Sequence, residues 1–294
     1  MISIIVCSID DFWFNNFSES LEKTIGLEHE IIRVDNKNEN LSIAKAYNKG
    51  ATKAIFDYLV FIHEDIIFHT VNWGNLLVEY FETLENPGVL GVVGSSYLPI
   101  SPSDWWVSNR SFIHANYISN SKSGKSENGV LQRKGDQIPA KVYSLDGMFL
   151  AIKMATFLEF QFDEELPGFH GYDTDLCYQI SQKYQNYFVP CILMEHFSKG
   201  QPNSTWLENT EKAKRKILPV IEKLKFNNRV QVSLEIKAYH LFLGQLHKYG
   251  RSRTENIMYA SFYLKKVSIH AFHWKLMPIF FKYLIVFLFR RNRN

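Results

Sequence analysis

Cysteine is scarce in this chain. Cys7, Cys177 and Cys191 lie far apart among 294 residues and are odd in number. That excludes a disulfide framework or a zinc knuckle and suits a reducing compartment. Long apolar runs are also missing, since a membrane-spanning helix needs roughly 18–20 such residues. The nearest run, 276–289, contains Pro278 and Lys282. The opening "MISIIVCS" has neither a basic n-region nor a small-residue cleavage site, so it predicts a first strand and no cleavable leader. No internal repeat is visible. Excess charge is lacking too: the net charge of +3 says little about partners, and no nucleic-acid partner is expected. At 46% hydrophobic and 21% charged, the composition is that of a globular protein with one large α/β domain or a domain plus an appendage.

What is present is a rhythm. Residues 2–7 are apolar on both parities, as in a strand buried on both faces of a parallel sheet. Helical spacing follows over 11–25, a short strand over 30–34, a helix over 42–54 and a third strand over 58–62. This β-α-β-α-β order predicts a parallel sheet with helices on both faces. A helix over 73–84 and a strand over 89–95 come next. Residues 99–139, with "SPSDWW" and "SNSKSGKSENG", break the rhythm and read as an insertion. Strand character returns over 140–154, a helix starts near Tyr172, and "YFVPCILMEH" predicts one strand ending at His196. Beyond Ser204 the pattern is helical to the end, which divides a domain over 1–205 from a helical region over 206–294.

Ligands of open α/β sheets bind beyond the carboxyl ends of the strands. Asp35 and the triplet His63, Glu64 and Asp65 in "YLVFIHEDII" therefore share one predicted rim. Asp65, with Glu64 or His63, offers the few protein ligands that Mg2+ or Mn2+ takes beside water and phosphate oxygens; the plain alternative is a solvated strand end. A second cluster, "GFHGYDTDLC", holds Asp173 and Asp175 in the first turn of a helix, where acids also serve as caps. The glycines and aromatics around Asp173 predict a tight loop that aims it into a cleft, as a general base requires. His196 closes a strand and makes sense as a metal ligand only where its strand end meets Asp65. Asp146 in "LDGMFLAIK" reads either as a turn residue or as a carboxylate receiving sugar hydroxyls.

The order "SIIVCS", "VDN", "SIAKAYNKGATKA", "YLVFIHEDI", "LDGMFLAIK", "GFHGYDTDLC" and strand-end "EH" resembles the GT-A glycosyltransferases of the family 2 type over about residues 1–200. The resemblance implies a Rossmann-like, mostly parallel sheet flanked by helices and a nucleotide-sugar donor, UDP-linked by expectation. It implies that Cys7, Ser8 and Asp35 border the nucleotide and that Lys45 or Asn48 lies near the donor. His63, Glu64 and Asp65 stand where the family has its Asp-x-Asp metal motif, with Asp65 and His196 as ligands of Mn2+ or Mg2+. Asp173 falls at the catalytic base, and Asp146, Asp175, Trp105 and Trp106 toward the acceptor and sugar. Two positions depart from the family pattern: His63 replaces the first aspartate of the metal motif, and Tyr172 replaces the glutamate of the base motif.

The implied reaction is a single inverting displacement by an acceptor hydroxyl of a surface glycan or lipid-linked saccharide, of the hexosyl or N-acetylhexosaminyl type. A nucleotidyltransferase would carry a glycine-rich loop after strand one, and "SIDDFWFNN" has no glycine. A non-catalytic glycan- or nucleotide-binding module is the other alternative, kept alive by His63. The stretch 270–294 is rich in aromatics and ends with Arg290, Arg291 and Arg293. It reads as a helix packed on the core or, preferably, as an interfacial helix for peripheral membrane contact. The expected location is cytoplasmic, at the inner face of the membrane.

Overall fold

A computed structural model describes residues 1–103, 109–120, 129–130, 138–198, 200, 202–227, 231–250 and 252–289. Trp105, Trp106 and the three terminal arginines lie outside the described residues. The chain opens with β1 (Ile2–Ser8), α1 (Asp11–Thr24), β2 (His29–Asp35), α2 (Ile43–Ala51) and β3 (Tyr58–His63), in the predicted order. β1 pairs in parallel with both β2 and β3. Its double-sided apolar pattern has a direct cause: Ile4 and Val6 enter one core, while Ile5 enters the core on the other face. Asp10 caps α1 by accepting from the Phe12 and Trp13 N–H groups. Gly50 lets α2 settle onto β1, because a Cβ there would lie 2.4 Å from Ile5.

The chain continues through β4 (Ile66–Phe68), α3 (Trp73–Thr83), β5 (Pro87–Gly91), β6 (Val93–Ser95), β7 (Ile113–Ala115), β8 (Tyr117–Ser119) and β9 (Gly129–Val130). Then come β10 (Ala140–Val142), β11 (Ser144–Leu145), β12 (Phe149–Lys153), α4 (Met154–Glu159), α5 (Tyr172–Ile180), β13 (Gln185–Phe188) and β14 (Met194–His196). The main sheet has the order β10-β13-β5-β12-β3-β1-β2, with β12 and β10 antiparallel to their neighbours. Two small sheets, β11-β6-β7 and β4-β14-β8-β9, sit beside it.

Three stretches that read as single strands are divided. Residues 187–196 break around Pro190, which has no N–H to donate to a ladder, so β13 stays in the main sheet and β14 joins a small one. Residues 140–154 break at the Asp146–Gly147 turn, where the Asp146 carboxylate accepts from the Met148 N–H at 2.9 Å. Residues 89–95 divide into β5 and β6, which join different sheets. The stretch 99–139 reads as an insertion without structure of its own, yet its described part carries β7, β8 and β9.

The last layer is α6 (Ser204–Asn227), α7 (Val232–Tyr249), α8 (Arg253–Ala271) and α9 (Leu276–Phe289). These helices share a third apolar core with Leu98, Ile100 and Tyr178. Charges are buried here as well. Lys214 of α6 is fully buried and donates to the Pro99 carbonyl at 2.9 Å and the Tyr178 hydroxyl at 3.2 Å. Glu235 of α7, also fully buried, accepts from Tyr97 Oη at 2.7 Å and Ile100 N at 3.0 Å and pairs with Lys225 at 3.1 Å. Among the described residues, no helix is long and apolar enough to cross a membrane.

Candidate active site

Strand register builds the rim. Cys7 of β1 stands beside His63 of β3, and Ser8 stands beside Asp35 of β2. β3 ends at His63 and β4 begins at Ile66, leaving Glu64 and Asp65 in the turn between them. Antiparallel pairing of β14 with β4 then sets His196 opposite Ile66, one residue beyond Asp65. His196 Nε2 lies 3.4 Å from Asp65 Oδ1 and 3.4 Å from His63 Nδ1. The ligand atoms of His63, Asp65 and His196 all fall within 4.8 Å of one another, and Ser198 Oγ is 3.0 Å from His196 Nε2. Among the described residues, no other set of three histidines, cysteines or acids gathers in this way. Asp65 and His196 are buried and His63 half-buried.

The two departures from the expected motifs touch each other. His63 Nε2 is 2.9 Å from the Tyr172 hydroxyl. Tyr172 is buried, and burial, with Tyr47 and the Asp173 and Asp146 carboxylates nearby, holds its phenol well above the ordinary range and therefore neutral. A proton on His63 Nε2 can be donated to the Tyr172 oxygen, which leaves the Nδ1 lone pair directed at Asp65 and His196. Gly147 makes room for this contact, since a Cβ there would lie 2.0 Å from the Tyr172 hydroxyl.

The acids expected at the base and sugar positions also converge. Asp173 Oδ2 accepts from Gly147 N at 2.9 Å, and its Oδ1 accepts from Thr174 N at 2.7 Å. These bonds tie α5 to the turn that holds Asp146 and fix the Asp173 carboxylate. Tyr117 of β8 belongs to the same neighbourhood: its phenol is pushed up to about 12, by burial first and by Asp146 second. The turn joins β3 directly, because His63 N donates to the Met148 carbonyl at 3.2 Å.

The remaining candidates divide. Glu64 Oε2 accepts from Ile9 N and Asp10 N, both at 3.1 Å, so it holds the loop after β1 and is not one of the three clustered ligands. Burial pushes the Cys7 thiol up to about 11, which leaves it a neutral wall rather than a nucleophile. Asp35 is exposed and accepts from Lys37 N at 3.1 Å. Lys45 is exposed in the first turn of α2, a helix whose Ile43 N–H donates to the Gly168 carbonyl. Asn48 is engaged elsewhere: it bonds the Phe162 backbone and the Glu164 carboxylate, and so pins the 162–164 segment. Asp175 does not face the rim either. It is 1% exposed, with Oδ1 2.7 Å from Lys216 of α6 and Oδ2 accepting from Gln179. An acid in this place joins α5 to α6 through Lys216.

Sequence reasoning missed the pairing of Tyr172 with His63, the approach of Ser198, and Arg33. Arg33 Nε donates to Ser8 Oγ at 3.0 Å, which sets a guanidinium beside the loop after β1. An arginine inside the apolar "EIIRV" was the available signal.

A mostly parallel sheet with helices on both faces is GT-A-like, and the His-Asp-His cluster lies at its carboxyl rim. The comparisons agree. The family described as "Glycosyltransferase like family" matches residues 3–219, and the chain belongs to that family. Glycosyl transfer is thus the general class of its chemistry. Among solved structures, it is similar to one described as "Crystal structure of GalNAc-T7 with UDP, GalNAc and Mn2+", at TM-score 0.50 and 16% identity. That match takes in 73% of this chain but 47% of the other, and it speaks for the fold alone. No curated protein matches.

Proposed function

We propose that the protein moves a hexosyl or N-acetylhexosaminyl group from a UDP-sugar to an acceptor hydroxyl of a surface glycan or lipid-linked saccharide, with inversion. The convergence of His63, Asp65 and His196 at the rim carries this reading. Two imidazoles and one carboxylate fit a divalent transition ion such as Mn2+ better than Mg2+, which favours oxygen ligands. When bound there, such an ion supplies Lewis-acid neutralisation of the charge that gathers on the leaving diphosphate. The crystal structure described above is of a protein with UDP, GalNAc and Mn2+, and the proposal carries its nucleotide and ion over to this rim.

The chain's own groups do the rest. Tyr172 holds the His63 ring, and Glu64 holds the loop that carries Ile9 and Asp10 against the end of β3. Asp173, fixed by two backbone N–H groups, takes the proton from the acceptor hydroxyl as its oxygen attacks the anomeric carbon. Asp146, on the turn that Asp173 grips, orients sugar hydroxyls.

Release of UDP and formation of product from a panel of UDP-sugars, with and without Mn2+, tests the proposal. Asp173→Asn should lower kcat by about 10²–10⁴-fold while UDP binding stays unchanged. UDP binding without turnover of any donor would overturn the proposal in favour of a binding module. Lost UDP binding in Asp173→Asn would overturn the assignment of the base.

A further inference from the structure

α9 is apolar on most sides, but only part of it is covered. Leu276 and Phe287 are buried against α7 and α8, and Ile279, Phe280 and Tyr283 pack beside them. Met277, Phe281, Ile285, Leu288 and Phe289 recur at spacings of three and four along the uncovered side and are 41–82% exposed. Trp274, just before the helix, is 67% exposed. A soluble helix normally turns such a stripe inward, so a contiguous bare one marks an interaction surface.

Charge decides between the partners. No Asp or Glu follows Glu255, whereas Lys265, Lys266, Lys275 and Lys282 do, and the sequence continues with Arg290, Arg291 and Arg293. Lys275 and Lys282 are exposed beside the bare stripe. Lys266 is paired with Glu222 of α6, but a second copy docked through the bare stripe would bring Lys275 and Lys282 against the same lysines of its partner. An anionic bilayer surface supplies the opposite charge and a place for the apolar side chains. Length agrees with that orientation: 14 helical residues span about 21 Å at ~1.5 Å each, short of a hydrocarbon core of about 30 Å.

We infer that α9 is an in-plane membrane anchor, lying in the headgroup region of an anionic bilayer with Met277, Phe281, Ile285, Leu288 and Phe289 turned into the lipid. The surface does not depend on the reading of the rim. Flotation of the full chain with vesicles tests it, using phosphatidylcholine alone and phosphatidylcholine mixed with phosphatidylglycerol. Binding should be at least about tenfold stronger to the anionic vesicles and should fall as salt is raised. Phe281→Glu with Ile285→Glu should abolish it, and Lys275→Gln or Lys282→Gln should each weaken it about fivefold. The substituted positions are exposed, so unchanged circular dichroism and melting temperature would separate lost anchoring from misfolding. Equal binding to both vesicle types, or none, would overturn the inference. So would a dimer in sedimentation that Phe281→Glu dissolves, since that result assigns the face to a second copy.

Discussion

The rim and the helical layer both bury polar groups, but they treat them in opposite ways. Around Glu235 and Lys214 each charge meets partners inside the protein: Tyr97, the Ile100 N–H and Lys225 for the acid, Pro99 and Tyr178 for the lysine. Complementary groups close that network. At the rim, His63, Asp65 and His196 aim ligand atoms at one another, and two of the three are of the same kind. The first arrangement serves the fold, whereas a carboxylate beside two imidazoles is a set that a divalent cation would bridge.

Substitutions can sharpen or break this contrast. The largest effect is expected for Asp65→Asn, which should reduce Mn2+ affinity, measured by titration calorimetry, by about a thousandfold, beyond the 10–100-fold typical of an outer partner. Its melting temperature should hardly move. Glu235→Ala should do the reverse, costing about 3–5 kcal/mol of stability in urea unfolding because Lys225 loses its buried partner, with Mn2+ affinity intact. If Glu235→Ala weakens the metal site as much as Asp65→Asn does, the two regions are one unit and the contrast fails. Tyr172→Phe keeps the ring but removes the oxygen that accepts from His63, so Mn2+ affinity should fall about 10–100-fold.

The remaining effect concerns pH. Burial brings the Lys214 amine down to about 7 from its ordinary value. Above that pH the folded chain has released a proton that the unfolded chain still holds, so stability rises from about pH 7 toward the ordinary lysine range. The penalty is fully present below pH 7. Lys214→Met should flatten this rise when unfolding is followed across the window. A neutral amine keeps two hydrogens, enough for both Pro99 and Tyr178.

Much of this was legible in local pattern. The alternation of "ISIIVCS", "EIIRV" and "YLVFI" with helical spacing gave the first three strands and their direction, and direction placed Asp35 and "HED" on one rim. His196 could be nominated as a strand-end histidine, but only the pairing of β14 with β4 brings it to Asp65. The contact between His63 and Tyr172 joins residues 109 positions apart, and no local period encodes it. For the same reason the two unfamiliar residues looked like separate departures, although they form one hydrogen-bonded pair. Asp175 shows the limit from the other side: an acid in a first helical turn looks like a cap or a site residue until Lys216 of a later helix is seen against it. The break at Pro190 was readable from proline's missing N–H, and reading "YFVPCILMEH" as one strand passed over it.

β14 has a consequence for anyone who wishes to re-engineer the protein. Its three residues hydrogen-bond to β4 on one edge and, in parallel register, to β8 on the other, with His196 opposite Ser119. The strand that presents a metal-ligand candidate is therefore stitched to the segment that interrupts the domain between residues 99 and 139. Grafting a foreign segment there would also rewrite the stitches that hold His196. A chimaera that replaces this segment has to inherit the edge of β8 if His196 is to keep its place.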